Sequence, residues 1–225
     1  MNVEQARFNM IEQQIRPWEV LDPAVLSLLA VVRREDFVPA AYRSLAFVDM
    51  EIPLRDGGAD GQCMLAPKVE ARLLQELQVH KHEKVLEIGT GSGHMAALLA
   101  HKAQEVLSFE IVPELARSAV ENLRRAGVTN VRVVAADGSR GSPADGPFDA
   151  ILLSGSVAEL PTGLLAQLKP GGRLIAIVGH EPVMRATLVR RVGAAGEPGE
   201  FARTELFDTV APRLRGFDEP PKFRF

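Results

Sequence analysis

Residues 85–93 read Val85-Leu86-Glu87-Ile88-Gly89-Thr90-Gly91-Ser92-Gly93, and this stretch decides the fold class of the 225-residue chain. An apolar run of strand type enters a turn with three glycines, and a helical pattern follows it. Glycine lets a backbone turn sharply and lie close to a ligand, because no Cβ stands in the way. The N–H groups at the start of the next helix point into the same crevice. The stretch therefore predicts a strand, a ligand-binding turn and a helix.

The alternation of short apolar runs with amphipathic helices continues beyond this turn. It predicts strands at 84–88, 105–110, 130–134, 148–153 and 172–178, and helices near 92–102, 113–126 and 161–168. Such alternation requires right-handed crossovers and a mainly parallel sheet. Two later β-like runs, Thr187–Val192 and Phe201–Val210, flank a Gly/Pro-rich link and predict antiparallel C-terminal strands. The expected fold is α/β, a Rossmann-like, mostly parallel seven-stranded sheet with helices on both faces.

The residues before this core have a different pattern. Apolar spacing predicts a helix over 2–16, and Asp22-Pro23 is typical of a helix start. Residues 33–60 read as irregular, and a further helix is expected over 67–77. We therefore expect an N-terminal helical and loop segment, 1–78, packed on a cofactor-binding domain, 79–225, as a single compact unit.

Composition argues against several classes of protein. A net charge of −3 gives no reason to expect a nucleic acid or an anionic membrane as partner. The single cysteine, Cys63, allows neither an intrachain disulfide nor a zinc site of several thiolates, and no metal site is expected. The charged N-terminus lacks the apolar stretch of a signal peptide, and no segment is long enough for a transmembrane helix. We expect a cytoplasmic protein that is a monomer or a weak homodimer.

The acid in the first strand bears on the identity of the cofactor. Dinucleotide enzymes use G-x-G-x-x-G/A, and Gly91, Gly93 and Ala96 satisfy its looser form, so an NAD-dependent oxidoreductase stays open. A carboxylate at Glu87 would lie poorly beside a pyrophosphate, but it suits a cofactor with a cationic end. The E-x-G-x-G-x-G arrangement closely resembles motif I of class I S-adenosylmethionine-dependent methyltransferases.

Two later acids are consistent with this cofactor. Glu110 ends the second strand, where a carboxylate can accept hydrogen bonds from both ribose hydroxyls. Asp137-Gly138 follows the third strand, and the methyltransferase resemblance implies that this acid approaches the adenine amino group. The complete set of residues expected to bind S-adenosylmethionine is Glu87, Gly89, Thr90, Gly91, Ser92, Gly93, Glu110, Ile111, Asp137 and Gly138.

Over nearly its whole length the chain resembles the protein-L-isoaspartate O-methyltransferases. Residues 34–39 resemble the family's R-x-x-F-V-P stretch, and residues 46–54 resemble its A-Y-x-D and P-L-P-I stretches. Residues 61–67, the substrate loop, occupy the place of the family's G-Q-T-I-S-x-P. The resemblance implies carboxyl methylation of isoaspartyl residues in a protein or peptide, which is a repair reaction.

The substrate loop departs from the family pattern at two positions. Cys63 and Leu65 stand where the family has Thr and Ser, and they are the candidate residues for the acceptor site. Leu65 cannot donate a hydrogen bond, and a thiol is a weak donor. Lys68 and Arg72, on the next helix, are further candidates for pairing with an acceptor carboxylate. His94 stands where the family usually has Tyr.

The expected chemistry tolerates the loss of these hydroxyls. A carboxylate acceptor is already ionised at neutral pH, so alignment and exclusion of water can supply most of the rate without a general base. Two alternatives remain open beside isoaspartyl methylation. The acceptor is a different small molecule, such as a small carboxylate, or the chain binds the cofactor and has lost isoaspartyl activity.

Overall fold

The computed structural model describes residues 2–55, 61–193 and 200–219. The predicted Gly/Pro-rich link between the last two strands and the end of the irregular region, 56–60, lie outside these residues. Among the described residues, no helix combines the length and the hydropathy that crossing a membrane requires.

The N-terminal segment is helical, as predicted. The first helix, Val3–Met10, continues directly into a π-helical turn (Ile11–Ile15) and a 3₁₀ turn (Arg16–Trp18). The side chain of Asp22 caps the next helix by accepting from the Ala24 N–H. Two short strands then pair antiparallel and bring the substrate loop against the chain before residue 56. The elements are α1 (Val3–Met10), α2 (Pro23–Val31), β1 (Ile52–Pro53), β2 (Cys63–Met64) and α3 (Pro67–Leu77), with further 3₁₀ turns at Arg34–Asp36 and Ala40–Leu45.

A seven-stranded sheet forms the rest of the molecule. Its elements are β3 (Lys84–Ile88), α4 (His94–Lys102), β4 (Glu105–Glu110), α5 (Pro113–Arg125), β5 (Val131–Ala135), β6 (Phe148–Val157), α6 (Thr162–Leu165), β7 (Leu168–His180), β8 (Val183–Val192) and β9 (Glu200–Asp208). The strand order is β5-β4-β3-β6-β7-β8-β9. The five neighbouring strands β5, β4, β3, β6 and β7 pair in parallel, and β8 and β9 are antiparallel to their neighbours. The predicted helix near 161–168 is only four residues long, because the chain enters β7 at Leu168.

The two faces of the sheet bury separate sets of side chains. Successive residues of β3 point to opposite faces, so Val85 lies in one hydrophobic cluster and Leu86 in the other. The first cluster also contains Ile15, Leu29 and Leu73 from the N-terminal segment. Because one cluster draws side chains from both predicted segments, we infer that they pack as one unit.

The strand order positions the site. It runs outward in both directions from the neighbouring strands β3 and β6, so the connections leave the sheet on opposite sides there. In open α/β sheets a crevice forms outside the carboxyl ends of the strands at such a reversal, and ligands bind in it. The glycine turn after β3 lies at this place.

Candidate functional site

The glycine turn has the backbone geometry that its sequence predicts. Gly89, Gly91 and Gly93 have φ of 94°, 54° and 86°, values that side-chain-bearing residues rarely adopt. The N–H groups of Gly89 and Thr90 both donate to the Phe109 carbonyl, at 2.8 and 3.1 Å, which ties the turn to the end of β4. Glycine is therefore required here by backbone conformation.

A cavity of about 610 Å³ opens beside this turn. Its lining includes the turn itself with Glu110, Ile111 and Gly138, and also Gln62 and Cys63 of the substrate loop. The predicted cofactor side and the predicted acceptor side thus meet in one cavity.

Glu110 lies where the sequence places a ribose-binding acid. Its side chain lines the cavity, and the residue is 6% exposed. The carboxylate accepts hydrogen bonds from the Gly91 N–H at 2.8 Å and the Val112 N–H at 3.0 Å. These two bonds fix the carboxylate at the rim of the glycine turn, and each oxygen has further capacity to accept from a ligand hydroxyl.

Glu87 lies beneath the cavity and does not line it. The residue is fully buried, and its carboxyl accepts from the hydroxyls of Ser108 at 2.6 Å and Ser154 at 2.8 Å. Burial raises the pKa of Glu87 to about 8, although the two serine hydrogen bonds act to lower it. Since Ser154 lines the cavity, its hydrogen bond links Glu87 to the cavity wall.

Thr90 and Ser92 form the buried side of the turn. The Thr90 and Ser108 hydroxyls are 2.5 Å apart, and the Ser92 carbonyl accepts from the Asn122 side-chain amide at 2.9 Å. Both residues line a second hollow, of about 320 Å³, which lies under the substrate loop. Their side chains therefore support the turn from below, and they face the acceptor side.

Asp137 and Gly138 are neighbours in sequence but differ in position. Gly138 lines the cavity, and a Cβ there would lie 2.6 Å from the Phe109 Cβ, so only glycine lets the chain pass. The Asp137 carboxylate accepts from the Ser139 N–H at 2.8 Å, contacts Gly216 and lines an adjoining hollow. The interaction of Asp137 with an adenine amino group stays a prediction.

Cys63 and Leu65 lie on the acceptor side, as predicted. Cys63 lines both the cavity and the second hollow, and Leu65 is buried and lines the second hollow. Burial, and then the neighbouring Glu51 carboxylate, raise the pKa of the Cys63 thiol to about 12. Because the thiolate is the nucleophilic form, Cys63 is not a nucleophile near neutral pH.

Lys68 and Arg72 make other contacts. The Lys68 ammonium pairs with Asp49 at 2.6 Å and lies 4.1 Å from the centre of the Trp18 ring. Arg72 pairs with Glu19 at 2.9 Å and with Glu76 at 2.7 Å. Neither residue lines the cavity or the second hollow, so the structure does not bring them to the acceptor site.

The sequence did not reveal a C-terminal segment that crosses the cavity. In this strap, residues 211–215, the Pro212 carbonyl accepts from the Ser156 N–H at 2.8 Å, and the Leu214 N–H donates to the Ser156 carbonyl at 2.9 Å. Leu214 packs so closely on the glycine turn that a Cβ at Gly89 would lie 2.8 Å from its Cδ2. Such contacts between distant parts of the chain have no local sequence signal.

The sequence also did not reveal a buried polar network of Arg34, Glu70 and His94. Arg34 pairs with Glu70, and His94 Nδ1 lies 2.9 Å from Glu70 Oε2. Burial alone would raise the pKa of Glu70, but Arg34 and His94 outweigh it and hold the pKa below its usual range. One signal could have found Glu70, because it shares helical spacing i, i+3, i+4, i+7 with the buried leucines of α3, Leu73, Leu74 and Leu77.

Comparisons with known proteins identify relatives of this chain. The family model described as Protein-L-isoaspartate(D-aspartate) O-methyltransferase (PCMT) matches residues 5–197. A protein-L-isoaspartate O-methyltransferase of Myxococcus xanthus (strain DK1622) is 44% identical over 191 residues, which cover 85% of this chain and 87% of that protein. Another, of Methanoculleus marisnigri (strain ATCC 35101 / DSM 1498 / JR1), is 42% identical over 83% of this chain and 84% of that protein.

Solved structures share the architecture. One described as protein-L-isoaspartate O-methyltransferase is 25% identical, with a TM-score of 0.72 over 93% of this chain and 67% of that chain. A candidate protein-L-isoaspartate O-methyltransferase of Plasmodium falciparum, in complex with S-adenosyl-L-homocysteine, is 20% identical, with a TM-score of 0.75. It covers 96% of this chain and 99% of that chain. These two likenesses confirm the predicted fold.

Proposed function

This chain belongs to the protein-L-isoaspartate O-methyltransferase family, and from that premise we propose that it methylates the free carboxylate of isoaspartyl residues in proteins or peptides. It is an S-adenosylmethionine-dependent methyltransferase, and the NAD-dependent alternative falls with that assignment. The observation that supports this choice of acceptor is the shared cavity, which is lined by Glu110 and the glycine turn and also by Cys63 of the substrate loop.

The residues present fit the cofactor. Glu110 offers carboxylate oxygens at the rim of a turn whose glycines leave room for a close ligand. Ser154, with the Glu87 carboxyl behind it, supplies a polar wall for the cationic end. When bound, the cofactor supplies an electrophilic methyl group on a sulfonium. We propose that Gly89, Gly91 and Gly138 form the cradle, with Thr90, Ser92, Gly93, Ile111 and Asp137 around it.

The chain's own contribution to the reaction is alignment. The acceptor carboxylate arrives ionised, so no side chain has to remove a proton. Cys63 and Leu65 present apolar or weakly polar surface, which excludes water around the acceptor. The substrate loop and the strap 211–215 both line the cavity beside the glycine turn, and they hold the acceptor against the methyl donor.

The remaining partner and location proposals rest on composition. A net charge of −3 supports a protein or peptide acceptor over nucleic acid. We propose that the protein acts in the cytoplasm, as a monomer or weak homodimer.

We expect the full chain to transfer tritium from methyl-labelled S-adenosylmethionine to an isoaspartyl peptide as a base-labile ester. The matched control is the same peptide with ordinary L-aspartate at that position, and its labelling is expected to be at least about tenfold lower, a difference of about 1.4 kcal/mol in transition-state binding. The measurement is volatile radioactivity released by base. Cofactor binding without labelling of the isoaspartyl peptide would contradict the proposal. A screen of extracted small carboxylates then separates a different acceptor from a protein that only binds the cofactor.

A further inference from the structure

Three ionisable side chains from three separate elements meet beneath the substrate loop. Arg34 comes from the 3₁₀ turn Arg34–Asp36, Glu70 from α3, and His94 is the first residue of α4. They are 1%, 5% and 2% exposed, so the network is almost completely removed from water. The ring of His94 also packs edge-on against Phe37, with 5.3 Å between ring centres.

This network connects the two halves of the site. Arg34 Nη2 donates to the Leu65 carbonyl of the substrate loop at 2.7 Å, while Arg34 Nη1 donates to Glu70. Glu70 in turn contacts His94, which directly follows Gly93 of the glycine turn. A continuous chain of hydrogen bonds therefore runs from the substrate loop to the cofactor turn, and Glu70 lines the hollow between them.

Stability is a weak reason for such an arrangement. Desolvation of buried charges offsets most of their attraction, so an ion pair in a core often stabilises no more than well-packed apolar side chains would. Buried pairs with fixed hydrogen-bond geometry can instead specify one arrangement of the backbone. The arrangement specified here is that of the substrate loop relative to the glycine turn.

The substrate loop depends on such external support. Neither Cys63 nor Leu65 has a side chain that donates a strong hydrogen bond. The donors available to an acceptor carboxylate are therefore the loop backbone and the cavity-lining side chains of Arg213 and Arg215. The position of that backbone is set partly by the strand pair β1–β2 and partly by the bond from Arg34 to the Leu65 carbonyl. A displacement of about 1 Å is enough to reduce methyl transfer strongly, because in-line attack requires close alignment.

We propose that Arg34, Glu70 and His94 are positioning residues for methyl transfer, which hold the substrate loop at its working distance from the cofactor turn. The proposal rests on the proposed function for its acceptor. None of the three contacts the reacting atoms, so they act through the Leu65 carbonyl on one side and the glycine turn on the other.

Substitution of His94 tests the proposal with the smallest disturbance. Nε2 of His94 has no hydrogen-bond partner among the described residues, so its link to Glu70 runs through Nδ1. His94→Phe keeps a ring against Phe37 and removes this link, whereas His94→Asn places an amide N–H near the position of Nδ1. His101→Phe is the matched control, because it makes the same replacement on the same helix at an exposed position outside the cavity and the second hollow.

We expect His94→Phe to lower kcat/KM for the isoaspartyl peptide by about 10- to 100-fold, the range that misplacement of reacting groups produces. The Kd for S-adenosylhomocysteine, measured by calorimetry, should change less than about threefold, and His94→Asn should recover most of the activity. His101→Phe should behave as the wild type. An equal loss of cofactor affinity, or no loss of kcat/KM, would overturn the proposal.

Hydrogen exchange supplies a readout that requires no acceptor. In the complex with S-adenosylhomocysteine, His94→Phe is expected to speed amide exchange of residues 61–67 at least about tenfold, while residues 105–110 of β4 stay as in the wild type. Unchanged exchange in 61–67 would overturn the positioning role even if the wild type is active. If the wild type labels no isoaspartyl peptide but His94→Phe still speeds exchange in 61–67, the positioning role of the network stands and the proposed acceptor is wrong. Should His94→Phe fail to fold, Arg34→Lys provides the same comparison.

Discussion

Glu110→Ala is expected to raise the Kd for S-adenosylhomocysteine by about 100-fold or more. Two hydroxyl groups of a bound ribose would each lose a hydrogen bond to a charged acceptor, worth about 1.5–3 kcal/mol apiece. The N–H groups of Gly91 and Val112, which donate to this carboxylate, would also lose their partner, and the turn would loosen. Isothermal titration calorimetry measures the change directly, because this ligand carries no transferable methyl group.

Two companion variants make the result specific. Glu110→Gln keeps one oxygen acceptor and should bind with intermediate affinity, since it loses the charge but not the shape of the side chain. Glu114→Ala removes an exposed acid near the start of α5, outside the cavity, and should bind like the wild type. Wild-type affinity in Glu110→Ala would mean that the ribose does not lie against this carboxylate.

Glu87→Gln is expected to change the dependence of stability on pH. The folded protein holds the Glu87 pKa at about 8 by burial, whereas an unfolded glutamate has a pKa of about 4.3. The folded state therefore keeps a proton that the unfolded state releases, and the free energy of unfolding falls by about 1.4 kcal/mol for each pH unit between these values. This contribution is complete below about pH 4.3 and is lost as the pH rises towards 8.

Urea denaturation of both proteins between pH 5.5 and 7.5 measures the effect. Glutamine carries no proton to lose, so its stability relative to the wild type should improve by about 3 kcal/mol over this interval. Glu159→Gln, at an exposed acid, should show no such trend. A constant difference between wild type and Glu87→Gln would mean that Glu87 is ionised in the folded protein.

Local patterns predicted most of the fold. Strand–helix alternation after residue 83 predicted the sheet and its parallel strands. The predicted strand at 84–88 has the same bounds in the structure. Differences occur at ends, where β6 continues from the predicted 153 to Val157 and β7 begins at Leu168 instead of 172. These extra residues are held by pairing with neighbouring strands, and pairing between distant segments leaves no mark on periodicity.

The cofactor side of the site was also accessible to sequence reasoning. Glycines that need positive φ and acids at strand ends can be recognised from the local sequence alone, as Gly91 and Glu110 illustrate. Glu87 shows where this reasoning stops. Its place on β3 follows from the sequence, but its burial and its link to the cavity through Ser154 depend on three strands meeting.

The acceptor side was less predictable, because its polar residues come from distant segments. Arg34 and Glu70 are 36 residues apart and face one another only after α3 packs beside the N-terminal segment. Charged residues on an amphipathic helix usually lie in solvent, and Glu70 departs from that expectation. Its position among the buried leucines of α3 was the one local indication.

A crystal structure of this chain with S-adenosylhomocysteine tests the central claim most directly. The account predicts the nucleoside across the carboxyl ends of β3 and β4, with both ribose hydroxyls within about 3 Å of the Glu110 carboxylate and the amino-acid end near Ser154. A nucleoside bound elsewhere, or density over the glycine turn occupied only by protein side chains at saturating ligand, would contradict it.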